Sequence, residues 1–586
     1  MIPPNISRPS LFTRIRVFIQ KRGLAAACKE IAEFGYYAFV GIFLRKRVVY
    51  IQKGVVKRLF NYTPYDFWKS IAQYSPQMAQ DVYGSFSPKP LVLVVVLSEQ
   101  LLTEQADSLY NRLQKEVFTN WMLVVPETAA HLFPPAAEKL LIIAPGMKAL
   151  KNAIPLYKPD LIVLLNPESQ LKTNALLHFV EYSLRFPKAE FFYADEEVVQ
   201  KDAVVAFAKP EFGPHSLLGD YLIGGVCAVS PSLLTKLSAC TLHSIDEITL
   251  EATQATKHIK RIPIPLSKRK MLSEEQLRQW QKRVMKQMHI AGDIIADARS
   301  GMWKPSLILP EQQPLVSIII PTKNAIDILK QCLISIFSLT NYSNLEVIVL
   351  DNNSDNPRFF EEINLLQQQH PNLSCVAIPT PFNFSRLMNA GAKLAQGEYI
   401  VLLNNDVEII SPDWLKDMVA MALVKQTGVV GAKLLYPNET IQHAGIAVSA
   451  GDTFAHHVFA HKPRYDAALC NSILSIRNYS ALTAACILVS KKIYAEAGGF
   501  DEQFAVEYND IDFCLNVQQL GYYNVYLPYV ELFHYESISR GHPHSTKTAL
   551  ERSRKETALF QQKWNTIIAD DPNWHPALAF IPQLAD

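Results

Sequence analysis

The groups in this chain that could do chemistry fall in short polar runs, each directly after an apolar, β-branched run. They are Thr322-Lys323-Asn324, Asp351-Asn352-Asn353-Ser354-Asp355, and Asn404-Asn405-Asp406 with Glu408. One Asp at a strand end is ordinarily a turn residue. Repeated at successive strand ends, carboxylates and amides collect along one sheet edge, and ligands bind open α/β sheets beyond the carboxyl ends of the strands. Asp406 and Glu408 read as an acidic pair on a turn. Hard cations such as Mg²⁺ or Mn²⁺ take one or two carboxylates plus substrate phosphate oxygens, and there they neutralise charge building on a departing diphosphate. Asp510, in Asn509-Asp510-Ile511-Asp512, falls where a helix should begin. It reads either as a helix cap or as a general base facing the cleft, and Asn509 capping with Asp510 reacting satisfies both. His534 ends an apolar run and reads as a structural histidine or as a metal ligand, imidazole suiting Mn²⁺ better than Mg²⁺. Arg540, in the polar loop that follows, can pair with phosphate oxygens.

These groups need strands to present them. Leu91–Leu97, Trp121–Val125 and Leu161–Leu165 are continuous apolar runs separated by helical patterns, and Leu315–Ile320, Leu345–Leu350 and Tyr399–Leu403 repeat the series. Runs without alternation fit strands buried on both faces of a parallel sheet. The two series align segment by segment, Leu161-Ile-Val-Leu-Leu-Asn166 with Tyr399-Ile-Val-Leu-Leu-Asn404 among them, which predicts a tandem duplication of one α/β (Rossmann-like) fold. The expected units are a helical, basic N-terminal extension over 1–85, a first α/β domain over 86–270, a helical connector over 271–313 (with the charged stretch from Ser273 to about Ala298), and a second α/β domain with a helical tail over 314–586.

Composition bounds the function. With 586 residues, 49% apolar and 19% charged, the chain suits well-buried multidomain structure. Lys+Arg of 57 against Asp+Glu of 55 lacks the basic excess of a nucleic-acid binder. The eight cysteines form no C-x-x-C pair and read as small buried hydrophobes in a reducing compartment. No secretory h-region follows the N-terminal cations. The uncharged stretch Phe34–Leu44 falls short of the ~20 residues that cross a bilayer. Flanked by Arg45, Lys46 and Arg47, it reads either as a surface segment on an anionic membrane or as a helix packed on the protein.

The motifs Pro-Leu-Val-Ser-Ile-Ile-Ile-Pro-Thr-Lys-Asn (314–324), Val-Leu-Asp-Asn-Asn-Ser (349–354), Pro-Phe-Asn-Phe-Ser-Arg-Leu-Met-Asn (381–389), Leu-Leu-Asn-Asn-Asp-Val-Glu (402–408), Gln-His-Ala-Gly (442–445), Asn-Asp-Ile-Asp-Phe-Cys-Leu (509–515) and His-Tyr-Glu-Ser-Ile-Ser-Arg-Gly (534–541) come in this order. Together they resemble family 2 glycosyltransferases of the GT-A fold, nearest the bacterial enzymes of O-antigen and surface-polysaccharide assembly. The resemblance implies that Asp351 meets the nucleotide base in a pocket lined by Thr322 and Asn324. Pro321, Asn353, Arg386, Asn389, Asn405, Asp406 and Arg540 complete the nucleotide-sugar site. It further implies Asp406 as the metal and diphosphate ligand, His534 as the histidine completing the metal site, and Asp510 as catalytic base. Gln442, His443 and Thr483 are expected to border the acceptor. Asn404 stands where the D-x-D motif has its first acid, and Tyr535 where a second His is common.

The first half resembles the same fold with its chemistry eroded. The D-x-D place reads Asn166-Pro167-Glu168, the base region Ile245-Asp246-Glu247-Ile248, and the late histidine's place is assigned to Ser267. The expected function is an inverting glycosyltransferase (hexosyl or deoxyhexosyl) using Mn²⁺ or Mg²⁺. It would move a sugar from a UDP-, dTDP- or GDP-sugar to an O-antigen, surface-polysaccharide or lipid-linked glycan acceptor, in the cytoplasm or peripherally at the inner face of the plasma membrane. The alternatives are a nucleotidyltransferase, which would need a Gly-rich phosphate loop that Pro321-Thr-Lys-Asn lacks, and a non-catalytic scaffold or glycan-binding protein, the expectation for the first half.

Overall fold

The computed structural model describes residues 73–96, 101–134, 138–200, 203–238, 244–449, 454–467, 471–535 and 547–575. Most of the expected N-terminal extension, including Phe34–Leu44 and its basic flank, lies outside the described residues, as does Arg540. Among the described residues no helix is long and apolar enough to cross a membrane. Cys227, Cys332, Cys375, Cys486 and Cys514 are free thiols.

The first half contributes β1 (Val92–Val95), β2 (Trp121–Pro126), β3 (Leu140–Ile143), β4 (Leu161–Leu165), β5 (Gln170–Leu171), β6 (Phe191–Gln200), β7 (Ala203–Phe207), β8 (Val226–Val229) and β9 (Ile259–Lys270). They form one sheet in the order β3-β2-β1-β4-β8-β6-β9-β5, with β7 on β6. A hairpin, β10 (Gly292–Ala296) and β11 (Trp303–Leu307), follows. The second half contributes β12 (Val316–Thr322), β13 (Leu345–Asp351), β14 (Leu373–Ala377), β15 (Tyr399–Leu403), β16 (Val407–Ile409), β17 (Thr427–Leu435), β18 (Ile441–His443), β19 (Ile446–Val448), β20 (Ala455–His457), β21 (Arg477–Tyr479), β22 (Cys486–Ser490) and β23 (Tyr523–His534). Its main sheet runs β14-β13-β12-β15-β22-β17-β23-β16.

The two sheet paths are the same path. Four parallel strands (β3-β2-β1-β4 and β14-β13-β12-β15) lead to an antiparallel neighbour, β8 or β22. That strand is antiparallel to β6 or β17, which in turn pairs in parallel with the long β9 or β23. A short antiparallel strand, β5 or β16, closes each path. Identical order and sense over eight strands establish the duplication that the aligned segments predicted. Both halves are α/β domains of one topology.

The apolar runs become strands because both of their faces are covered: Val92–Val95 and Val316–Ile320 are buried throughout. One continuous core joins the halves, running from Leu93 and Val95 through Trp280 and Ile476 to Val316 and Ile318. Of the helices that matter below, α1 (Thr103–Gln114), α2 (Ile245–Ala255) and α3 (Glu274–Gln287) belong to the first half and connector. The others are α4 (Ile326–Leu339), α5 (Phe384–Leu394), α6 (Asn509–Gln519) and α7 (Lys547–Ala569). The expected connector helix ends at Gln287 rather than near Ala298, and the β10–β11 hairpin takes over. Trp280 on α3 donates from Nε1 to the Leu217 carbonyl at 2.9 Å, which docks the connector on the first domain.

The domains are locked at close range. The Nε2 of His215 lies 2.8 Å from the Thr427 hydroxyl, and Asn478 Oδ1 accepts the Ser216 N–H at 3.2 Å. A Cβ on Gly219 would sit 2.3 Å from the Ile476 carbonyl oxygen, so this approach requires glycine. The chain after α7 crosses back to the first domain, where buried His575 meets Asp195 at 2.7 Å and the Pro572 carbonyl accepts from Glu211 N–H at 2.8 Å.

Candidate active site

The polar runs meet where the second sheet's strands end. The register sets Thr322 beside Asp351, and Leu403, the last residue of β15, beside Cys486 at the start of β22. A cavity of about 340 Å³ opens there, walled by Pro321, Thr322, Lys323, Asn352, Asn353, Thr380, Phe382, Phe384 and Asn404 to Asp406. Asn405 Nδ2 donates to the Thr322 hydroxyl at 3.0 Å, tying the first and third strand ends together. Asn352 Nδ2 donates to the Ile378 and Thr380 carbonyls at 3.0 and 2.8 Å and holds the wall that carries Phe382.

The long strand β23 delivers His534 to the same edge, opposite Val407 on β16. Its Nε2 lies 3.2 Å from Asp406 Oδ1 and 3.2 Å from Asn404 Nδ2, while Nδ1 lies 2.6 Å from Gln442 Oε1. A buried carboxylate and a buried imidazole nitrogen at this spacing form a two-ligand seat. Among the described residues no group of three His, Cys, Asp or Glu side chains is arranged to hold a metal. A two-ligand seat with the rest supplied by phosphate oxygens is the arrangement hard cations accept, so the donor set fits Mn²⁺ or Mg²⁺. Glu408 is not the second ligand of an acidic pair. It lies in a strand, not a turn, and its carboxylate accepts from Gln331 Nε2 at 2.7 Å and from the Tyr535 hydroxyl. Tyr535 is thereby accounted for as the partner of Glu408.

Asp510 reaches the site from α6. Its Oδ2 accepts the Ala484 N–H at 3.0 Å and its Oδ1 the Ile511 N–H at 2.9 Å. The adjoining Ala485 carbonyl accepts the Asn404 N–H at 3.0 Å, so only the 483–485 turn separates Asp510 from the Asn404–Asp406 run. Burial raises its pKa above the usual aspartate range, against the opposing hydrogen bonds from Ala484, Ile511 and the Thr483 hydroxyl. A carboxylate so tuned is a better proton acceptor. Asn509 is the first helical residue and Tyr508 the cap, held at φ 61°; Asn509 Oδ1 accepts the Asp510 N–H at 2.7 Å. The loop before α6 is clamped by α7, where Glu556 accepts the Val506 and Glu507 N–H groups at 3.2 and 2.6 Å.

Other expected site residues serve neighbouring structure. Asn324, at φ 56°, staples two loops: its Nδ2 donates to Asp355 at 2.7 Å and its Oδ1 accepts the Asp355 N–H at 2.9 Å. Asp351 is buried with Oδ1 accepting the Ser354 N–H at 3.0 Å, and the cavity wall is formed by its neighbours Asn352 and Asn353. Arg386 pairs with Glu502 at 2.9 Å, and Asn389 Oδ1 accepts the Phe500 N–H at 2.9 Å, so both hold the 499–502 loop instead of lining the cavity. Gln442 and His443, 5% and 1% exposed, sit inside the sheet beside β17 and are not among the residues that line the cavity. Burial and the adjacent His457 push His443 well below the usual histidine range. Thr483 is half-buried beside Asp510. Lys323 and Asn352 stood in the polar runs without an assigned role, and Thr380, Phe382 and Phe384 were missed by the sequence reading. An exposed aromatic inside a polar loop, Phe382, was the available signal.

The duplicated topology shows which side chains stand at the first domain's equivalent positions, beside an open cavity of about 750 Å³ that Glu168 and Arg269 help to line. Gln170 pairs with Lys268 as Glu408 pairs with Phe533, which places Glu168 at the position of Asp406 and Arg269, not Ser267, at that of His534. Arg269 Nε lies 3.0 Å from buried Glu196, which also pairs with buried Lys209 at 3.1 Å. Burial alone would raise the Glu196 pKa, but the two cations hold it down to about 2. Asp246, the second residue of α2 as Asp510 is of α6, is taken up by the Tyr221 hydroxyl at 2.6 Å and by Arg283 at 2.9 Å. Side-chain cations thus occupy the positions of both the metal ligand and the base's surroundings. Arg269→Ala takes one of two cations from a buried carboxylate that keeps Lys209, and is expected to cost about 1–3 kcal/mol in denaturant unfolding. Nucleotide binding by the second domain should be unchanged; a loss below about 1 kcal/mol would mean the triad is not holding this domain.

Residues 317–456 match the family Glycosyl transferase family 2. An uncharacterized protein of Sinorhizobium fredii is 31% identical over 463 residues, 74% of this chain and 50% of that protein. The O-antigen biosynthesis protein RfbC of Myxococcus xanthus is 28% identical over 500 residues, 79% of this chain and 38% of that protein. The chain therefore spans half or less of the length of these curated relatives. Of solved structures, GalNAc-T7 with UDP, GalNAc and Mn²⁺ aligns over 48% of this chain and 54% of that one, at 12% identity and TM-score 0.38.

Proposed function

We propose, from the match of residues 317–456 to the family Glycosyl transferase family 2, that the second domain is an inverting glycosyltransferase. It moves a sugar from a nucleoside diphosphate sugar to a glycan hydroxyl, as in O-antigen or other surface-polysaccharide assembly. The observation that carries this reading is the pairing of Asp406 and His534 at 3.2 Å beside the cavity, with Asp510 across a single turn. The cavity takes the nucleotide, its amide-rich wall offering Asn352 and Asn353 and its outer edge Phe382 and Lys323. Asp406 and His534 would hold Mn²⁺ or Mg²⁺, which when bound would supply positive charge to the diphosphate. Asp510, kept basic by burial, takes the proton of the acceptor hydroxyl as that oxygen attacks the anomeric carbon opposite the leaving diphosphate. Attack from the opposite face inverts configuration at that carbon. The first domain is a non-catalytic scaffold, since the positions of its metal ligand and base are filled by Arg269 and Arg283 contacts.

The test is thermal unfolding with UDP, GDP, dTDP and CDP, each with and without Mn²⁺. A ligand that binds the native state stabilises it by about 2.7 kcal/mol at a hundredfold excess over Kd. One nucleotide should raise the Tm in a Mn²⁺-dependent way that EDTA reverses, and this names the donor class. No shift with any of them would favour a glycan-binding scaffold over a transferase.

A further inference from the structure

We propose that Gln442 is a positioning residue that fixes the tautomer of His534 and so makes the cation seat. The inference deepens the transferase reading and rests on it. Gln442 lies in β18, 5% exposed, and is 92 residues away in sequence from the ring it touches. Its Oε1 is 2.6 Å from His534 Nδ1. An amide oxygen only accepts, so Nδ1 must carry the proton and donate it. In a neutral imidazole this leaves Nε2 with its lone pair, and Nε2 is the atom that faces Asp406 at 3.2 Å. The opposite tautomer would put N–H at Nε2, satisfy the Asp406 carboxylate with a hydrogen bond, and leave no lone pair for a metal. In the metal-free chain that lone pair accepts from Asn404 Nδ2 at 3.2 Å, a hydrogen bond that a bound cation would displace.

The neighbouring strand residue supports a dedicated role for Gln442. His443 faces His457, Nδ1 to Nδ1 at 3.0 Å, so the adjacent imidazoles engage each other and leave the Nδ1 of His534 to the amide. A neutral amide behind the ring fixes its orientation without adding charge to the site, whereas a carboxylate there would make the imidazole a more basic ligand. Sequence reading placed Gln442 at the acceptor. Its depth and its contact place it behind the metal ligand.

The experiment is Mn²⁺ titration followed by electron paramagnetic resonance, on the full chain with no sugar substrate. It compares wild type, Gln442→Leu, Gln442→Met and Gln442→Glu. Loss of an outer partner of a metal-bound histidine typically costs about 10–100-fold in metal affinity. Gln442→Leu and Gln442→Met should each show that loss while still unfolding cooperatively, with a metal-free Tm lowered by no more than the loss of one buried hydrogen bond accounts for, and metal-free nucleotide binding within a few-fold of wild type. Gln442→Glu, which keeps an acceptor oxygen at the same place, should restore Mn²⁺ affinity to within a few-fold of wild type (less than one decade). Should Gln442→Leu fail to fold, Gln442→Met and Gln442→Glu give the same comparison. Wild-type affinity in the folded Leu or Met variant overturns the inference while leaving the transferase reading intact, as does a Glu variant as weak as Met. Absence of Mn²⁺ binding in the wild type overturns the cation seat itself, and the role of Gln442 with it.

Discussion

Asp510→Asn should bind donor nucleotide as tightly as wild type and turn over about 10²–10⁴-fold more slowly. The substitution keeps size and leaves Oδ1 to accept the Ala484 or Ile511 N–H that the carboxylate receives at 3.0 and 2.9 Å, so the helix start is retained. What disappears is the ability to take a proton. The pH profile gives a second, independent readout. Burial raises the Asp510 pKa, so the productive unprotonated form is lost as pH falls through that raised value. The acid limb of kcat/KM should therefore lie above the ordinary aspartate range, with full activity on its alkaline side, and should vanish in the Asn variant. Turnover unchanged from wild type would remove Asp510 from the role. Asp512 is the built-in contrast. Two positions along a helix turns the side chain by about 200°, and Asp512 points into the protein, where it pairs with Lys563 at 2.7 Å and accepts from Trp564 Nε1 at 2.8 Å.

Asp406→Ala should abolish the Mn²⁺-dependent part of nucleotide stabilisation and lower kcat by at least about 10²-fold, the usual cost of removing a group that stabilises transition-state charge. The physical reason is that the seat has two protein ligands, so losing one leaves His534 alone to compete with water for the cation. The variant protein should still fold, because Asp406 is at the strand end and its loss frees Asn404 to keep its hydrogen bond to His534. Calorimetric titration of Mn²⁺ with the matching nucleotide separates the outcomes. Retention of wild-type Mn²⁺ affinity in Asp406→Ala would sink the two-ligand seat, whereas loss of nucleotide binding without Mn²⁺ as well would point to a collapsed cavity.

Much of the architecture was legible before any coordinates. A strand buried on both faces must be apolar without alternation, so Val316–Ile320 and Tyr399–Leu403 announce themselves. The chemistry must then gather where such strands stop, which singled out Thr322, Asp406 and His534. The duplication was legible too, because the same burial constraint acting twice leaves the same segments in the same order. The connector was misread past Gln287, since Ile294 is the one buried residue of a five-residue strand whose pattern is too short to reveal its period.

What the sequence alone could determine is therefore local: which segments are strands, where they end, and which polar residues those ends present. What only the tertiary structure decided is which of those residues meet. Asn324, Arg386 and Asn389 carry the right groups but spend them on loops 355 and 499–502. Gln442 is drawn to His534 across 92 residues, and Arg269 rather than Ser267 stands in the first domain's metal place because β9 meets β5 with Lys268 opposite Gln170. Strand and helix periodicity come from neighbours a few residues apart and so are written into the sequence. Contacts between elements are set by sheet order and register, which no single segment contains.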